Sequence, residues 1–366
     1  MNEPMKRTIH RHLLRLSSLL LFGAGLVSSP LNGQVAWREG PRLPVAVTNN
    51  SVVGVESTAS GPAVFSFLGL LEGKTWQDVT SRSLRWNVGS QRWLDVAPVP
   101  GPGRLASTAQ VVGERVYLFG GYTVAEDGSE VSLPNVDVYH PDTDSWTRAT
   151  DMPVPVDDAV SGVTRDSLIV LVSGWSDGDN VPNVQIYDPA RDRWLQASEI
   201  PGIPVFGHTG GVARDQLVYV DGVERRAEGR PRYALAPATW MGSMNPSDPE
   251  RIDWRKLPDH PGLPLYRAAS LTIGSRILFL GGSDNPYNYD GVGYNGVPSN
   301  PVGQFLAFDV ESGEWTELPR PGVATMDHRN LARAGGMVVL VGGMGPGQVV
   351  TNRVWYVPLL DLVTGR

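Results

Sequence analysis

Four side chains of chemically useful type stand at matched distances ahead of a series of glycine pairs. Arg104 and Asp157 each lie sixteen residues before the first pair member, and Arg267 and His328 lie fourteen before theirs. Side chains on a strand alternate between faces, so positions two apart point the same way. Arg104, Asp157, Arg267 and His328 are therefore expected to project together, with Arg329 and His208 turned the other way. Two guanidiniums at one mouth can hold a carboxylate bidentately. The competing reading is a wet channel whose polar lining needs no ligand.

Two loops add further candidates. The run Gly222 to Arg232 holds Glu224 with Arg226, Arg230 and Arg232. One carboxylate and one cation, such as Glu224 with Arg226 or His328, can supply a general acid–base pair. A charge run is equally the ordinary sequence of a solvated face. The stretch Ser283 to Gly296 carries Tyr287, Asn288, Tyr289 and Tyr294 with little charge. Such a surface can stack on and hydrogen-bond a neutral polar ring, while its Asn-Gly and Asp-Gly steps also suit plain turns.

These residues must be placed by a repeating scaffold. Trp37, Trp93, Trp146, Trp194, Trp254 and Trp315 follow one another at spacings of 56, 53, 48, 60 and 61 residues. Periods of this size mean stacked or radially arranged units. Ahead of the tryptophans lie apolar runs ending in a glycine pair or its relic, as in Leu118-Phe119-Gly120-Gly121 and Phe279-Leu280-Gly281-Gly282. Short β-branched and aromatic runs such as Val136 to Tyr139 and Val184 to Tyr187 follow, punctuated by turn residues. They read as strands, four to a repeat, each repeat one antiparallel blade.

The glycine pairs with their spaced Tyr and Trp resemble the kelch repeat over nearly all of residues 35–358. That resemblance implies an all-β fold, a six-bladed kelch β-propeller. Trp37 has no blade of its own, and the last repeat stops at Val354 to Val357 without a fourth strand. The N-terminal strand is therefore expected to close the C-terminal blade, removing two free sheet edges. In such a propeller the loops leading into the innermost strands and those between strands two and three open on one face, where function is sought.

Among exported kelch proteins the chain is similar to the N-acetylneuraminate epimerases. That family's suspected pair is a glutamate and an arginine after the fourth-repeat glycine. The nearest positions here are Glu224 and one of Arg226, Arg230 or Arg232, with Val223 directly after Gly222. The resemblance implies a carbohydrate ligand, with Glu224, Arg226 and His328 as catalytic candidates. Arg104, Asp157, Arg267, Arg230, Arg232, Tyr287, Asn288, Tyr289 and Tyr294 are the binding candidates. The alternative is a non-catalytic kelch module that holds a protein or peptide on the same face.

Composition narrows the chemistry. The chain has no cysteine, so a disulfide scaffold and a copper site with a cysteine-crosslinked tyrosine, as in galactose oxidase, are both excluded. Outside the first 33 residues the histidines are His140, His208, His260 and His328, in different repeats and without metal-ligand spacing. Asp177 and Asp179 sit in ordinary turn sequence, so no metal and no cofactor is expected.

Lys6, Arg7, Arg11 and Arg15 precede an apolar stretch, Leu19 to Val27, too short to span a bilayer. Residues 1–33 read as a cleaved signal peptide and 34–366 as one propeller domain, periplasmic or secreted. Cleavage would take the net charge from −7 to −10. An acidic chain without a basic stripe argues against nucleic acid, and no second apolar span suggests a membrane anchor.

Overall fold

The computed structural model describes residues 37–228 and 231–364. Residues 1–36, which include the expected signal peptide, and Arg230 lie outside the described residues. Among those described, six four-stranded antiparallel sheets follow one another along the chain. Blade 2 is typical: Thr108–Val112, Arg115–Phe119, Val136–His140 and Ser145–Arg148 pair in that order from the channel outward. Middle strands such as Ala63–Phe67 and Ile169–Val172 are buried along their whole length. Each blade is covered on both faces by its neighbours, so these strands read as continuous apolar runs rather than alternating ones.

Blade 6 is completed from the other end of the chain. Its strands are Ala332–Ala334, Met337–Val341, Val354–Pro358 and, outermost, Arg38–Glu39. Arg38 faces Tyr356 and Glu39 faces Trp355. Beyond that strand Gly40 N–H donates to Val354 O at 2.8 Å and Leu43 N–H to Asn352 O at 2.9 Å. The closure expected from the sequence is present.

The repeated residues have identifiable tasks. Four outer-strand indoles each donate Nε1–H to a carbonyl just past the outer strand of the preceding blade. Trp146 reaches Ala97 at 2.9 Å, Trp194 reaches Thr150 at 2.9 Å, Trp93 reaches Pro41 at 2.8 Å and Trp37 reaches Pro319 at 2.9 Å. Tyr139 and Tyr187 pack on Trp146 and Trp194 and donate their hydroxyls to Asp144 and Asp192 in the turn that follows. In the glycine pairs the second N–H crosses to the next blade: Gly121 to Val156 O, Gly174 to Val205 O and Gly343 to Val47 O. A side chain on the first glycine would collide there, since a Cβ on Gly120 would sit 2.1 Å from Val156 O. Both Gly120 and Gly121 also have positive φ. Glycine is required at this contact for space as well as backbone angle.

Candidate functional site

Just before each innermost strand the chain turns through one residue of positive φ. The six are Asn49, Ala106, Asp158, Gly207, Arg267 and Asp327. They form a collar around the channel neck, joined by hydrogen bonds from blade to blade. Asp158 N–H donates to Ala106 O, Gly207 to Asp158 O and Arg267 to Gly207 O at 2.7–3.0 Å. His328 N–H continues to Arg267 O at 3.0 Å and Asn49 N–H to Asp327 O at 3.1 Å, while Ala106 N–H closes the ring on Asn49 Oδ1.

The collar side chains neutralise one another. Arg267 Nη2 donates to Asp158 Oδ2 at 2.6 Å, and Arg329 Nη2 is ion-paired with Asp158 Oδ1 at 2.6 Å while donating to Asn49 Oδ1 at 3.1 Å. Asp327 lies 3.5 Å from Arg267 Nη1 and accepts from Thr48 and Asn49 at 2.7 and 3.0 Å. Burial alone would raise the Asp158 carboxyl, but the two guanidiniums hold it below its ordinary value. The Arg267 guanidinium also lies between two rings, 5.2 Å from Tyr266 and 5.0 Å from Tyr287.

Above the collar, on the loop face, lies a cavity of about 240 Å³. Asp157, Asp158 and Arg267 line its floor, and Tyr122 and Glu130 come from the second-to-third-strand hairpin of blade 2. Its aromatic side is Trp175, Phe206, Tyr233 and Tyr294, with Asn288 beside them. Ring centroids are 5.6 Å apart for Trp175 and Phe206, 6.0 Å for Trp175 and Tyr233, and 4.2 Å for Tyr233 and Tyr294. Asp157 is 3% exposed and accepts from Ser132 Oγ at 2.6 Å. Burial, reinforced by Asp158, pushes its carboxyl well above the ordinary range. Glu130 is solvent-accessible at the rim yet crowded enough that desolvation raises its carboxyl too. A larger groove of about 700 Å³ runs beside Trp37, Leu263 and Phe305, but it gathers no comparable set of buried polar groups.

Of the sequence-predicted residues, Asp157, Arg267, Asn288 and Tyr294 line this cavity. The others do not. Arg104 is fully buried and bonds Asp137 at 2.7 Å, because its position belongs to the layer between blades that Val156, Val205 and Leu265 fill elsewhere. His328 sits at the channel neck, 2.7 Å from Thr325 Oγ1, where burial and then Arg329 push it down to about 3. Arg329 and His208, expected to point away, line that same neck. Glu224 pairs with Arg226 at 2.7 Å on the blade 4 hairpin. Tyr233 is cross-strand to Arg225, so Glu224, one residue along, is turned to the other side from the cavity. Arg232 lies 5.8 Å from the Tyr233 ring without lining the cavity. Tyr287 is buried under the collar, its hydroxyl 3.3 Å from Asp327, and Tyr289 packs on the Leu70, Leu105 and Tyr122 cluster.

The register error has a clear source. In blades 3 and 6 the collar residue lies fifteen positions before the first member of the glycine pair, against fourteen in blades 2, 4 and 5. Alignment on the glycines therefore lands on Asp157 and His328, one residue from the collar positions Asp158 and Asp327.

Comparison with known proteins agrees with this architecture. The Kelch motif family matches residues 103–153, which is blade 2 with the turn leading into it. A Kelch-like protein, terF of Aspergillus terreus, is 29% identical over 140 residues, covering 37% of this chain. The match spans about 29% of that relative's length. The solved structure of YjhT superimposes with a TM-score of 0.68 over 86% of this chain and 95% of that one. At 15% identity it shows the shared fold alone. The chain is a six-bladed β-propeller that carries a Kelch motif in blade 2.

Within the propeller the residues missed by sequence reasoning are Asp158 and Asp327 in the collar, and Tyr122, Glu130, Trp175, Phe206 and Tyr233 in the cavity. Trp175 had a usable signal: it directly follows the relic glycine pair Ser173-Gly174, as Tyr122 follows Gly120-Gly121. Both positions bridge back to the residue just before the collar.

The buried neck makes the propeller sensitive to acid. His208 is pushed down to about 4 by burial, with its Nε2 bonded to Val172 O at 2.8 Å, and His328 to about 3. Both are neutral when folded, whereas an unfolded histidine takes a proton near its usual value of about 6.5. The unfolded chain thus binds more protons below that point, and stability falls as pH drops from about 6.5 toward 4. Urea midpoints across this window are expected to decline, and His208→Gln to flatten the decline. An unchanged slope in the variant would contradict the assignment.

Proposed function

We propose that the loop-face cavity binds a carbohydrate, one ring at a time. The observation that carries this is the pairing of an aromatic wall with hydrogen-bonding groups that have no internal partner. Trp175 and Tyr233 offer ring faces for the apolar side of a sugar, the arrangement that fits an amphipathic ring. Tyr122 is 3% exposed and lines the cavity, and its hydroxyl makes no hydrogen bond among the described residues. Asp157 uses only Oδ2 internally, leaving Oδ1 free. Buried polar groups are normally satisfied, so open ones on a cavity wall favour a polar ligand. The volume suits a single monosaccharide unit.

An acidic sugar fits less well. Arg267, the expected carboxylate clamp, is occupied by Asp158 and Asp327, and Glu130 and Asp157 would face the ligand's own carboxylate. If the bound ring also exchanges anomers, its acid–base pair is Asp157 with Glu130 rather than Glu224, Arg226 and His328. A second reading has its own support. Trp76, Val131, Val297 and Val349 are 39–60% exposed on the second-to-third-strand loops of four blades, a face that suits a protein or peptide.

Thermal unfolding against a panel of neutral and charged monosaccharides separates the two. Ligand at a hundredfold over its dissociation constant adds about 2.7 kcal/mol to stability. A raised midpoint with at least one sugar, lost in Trp175→Ala, is expected. No shift with any sugar would overturn the carbohydrate reading and leave the apolar rim as the functional surface.

A further inference from the structure

We infer that the carbohydrate taken by this cavity carries a protonated amino group, as an unacetylated hexosamine does. The inference rests on the carbohydrate reading above and concerns what distinguishes the preferred sugar from a neutral one. Charge balance is its basis. Two guanidiniums, Arg267 and Arg329, face two carboxylates, Asp158 and Asp327, and the collar closes on itself. No guanidinium is left over for the two other acids on the wall. Asp157 has only the Ser132 hydroxyl as a side-chain partner, and Glu130 has no ion pair among the described residues. The nearby arginines are engaged elsewhere: Arg225 with Asp179 and Arg226 with Glu224.

The walls point the same way. A cation is attracted to the faces of Trp and Tyr rings, most strongly once desolvated. Trp175, Phe206, Tyr233 and Tyr294 line the same cavity as these acids, with ring centroids 6.0–6.4 Å apart in the Trp175–Tyr233, Phe206–Tyr233 and Phe206–Tyr294 pairs. The Tyr122 hydroxyl, unbonded on the same wall, can accept from an ammonium or donate to a sugar oxygen. The groups facing Asp157 are Asp158, Glu130 and Arg267, and burial with the two acids outweighs Arg267 in raising its carboxyl. An ammonium arriving between Asp157 and Glu130 reverses that penalty.

Calorimetric titration of the protein with glucosamine, N-acetylglucosamine, glucose and tetramethylammonium, at fixed ionic strength and near-neutral pH, tests this. Glucosamine is expected to bind about tenfold or more tighter than either neutral sugar. The advantage should shrink in Asp157→Asn and in Glu130→Gln, the latter an exposed hairpin position that keeps the test informative if the buried change disturbs folding. Equal or tighter binding of glucose or N-acetylglucosamine overturns the amine preference and leaves the carbohydrate reading standing. So does an advantage that survives both substitutions. Binding of tetramethylammonium without any sugar keeps the cation site and overturns the carbohydrate reading, and binding of none overturns both.

Discussion

Replacing Asp158 with alanine is expected to destabilise the propeller by about 3–5 kcal/mol, because it leaves two buried guanidiniums without their shared partner. Arg267 and Arg329 are each at most 5% exposed at the side chain, and neither can turn to water without breaking the neck. The effect on shape should be local at first. Asp158 N–H and O also belong to the collar, and those backbone bonds survive the substitution, since Ala106 already adopts positive φ at the equivalent place. The pH dependence has a definite sign. The folded carboxyl lies below its unfolded value, so its contribution is complete above the ordinary carboxylate range and is lost as pH falls through the folded value. Urea unfolding at neutral pH measures the loss. A change below about 1 kcal/mol would mean that the ion pairs only offset their own desolvation.

Removing residues 37–43 is expected to have an effect at least as large. The deletion takes away the outer strand of blade 6, the Trp37 indole bond to Pro319 and its edge contact with Phe305 at 5.5 Å. It also removes Leu43, 2% exposed and packed with Val341 and Val354, and the Pro41 carbonyl that Trp93 uses. Each large apolar side chain so exposed costs about 1.5–3 kcal/mol and each lost hydrogen bond about 1 kcal/mol. Several kcal/mol from a fold of ordinary stability of about 5–15 kcal/mol leaves it near unfolding. The strand Val354–Pro358 becomes a free edge able to pair with another chain. Urea unfolding and light scattering are expected to show a lower midpoint and concentration-dependent association. A monomer as stable as the intact protein would contradict the closure.

The fold was legible because its signals are local and repeated. Four of the six repeated tryptophans tie one blade to the one before, and most glycine pairs donate to the next blade's carbonyl, so a recurring contact calls for a recurring residue. The site was only partly legible because the collar depends on register between blades. One extra residue in blades 3 and 6 moved attention from Asp158 and Asp327 to their neighbours. Asp157 was still found, since it stands sixteen residues ahead of its glycine pair as Arg104 does, one residue from the collar. Trp175, Phe206 and Tyr233 were not, because aromatic residues from three chain segments meet only once the propeller closes. Arg104 misled for the opposite reason: a charged residue in an interblade layer looks functional until its buried partner Asp137 is seen.

Saturation-transfer NMR on sugars mixed with the wild-type protein and with Trp175→Ala tests the central claim most directly. The cavity on the loop face predicts transfer to the ring protons of at least one monosaccharide in the wild type, strongest with the amino sugar. It predicts loss of that transfer in the variant, with melting unchanged by more than the removal of one half-buried side chain explains. Transfer that persists undiminished in Trp175→Ala, or transfer to no sugar at all, would contradict the assignment of this cavity as the ligand site.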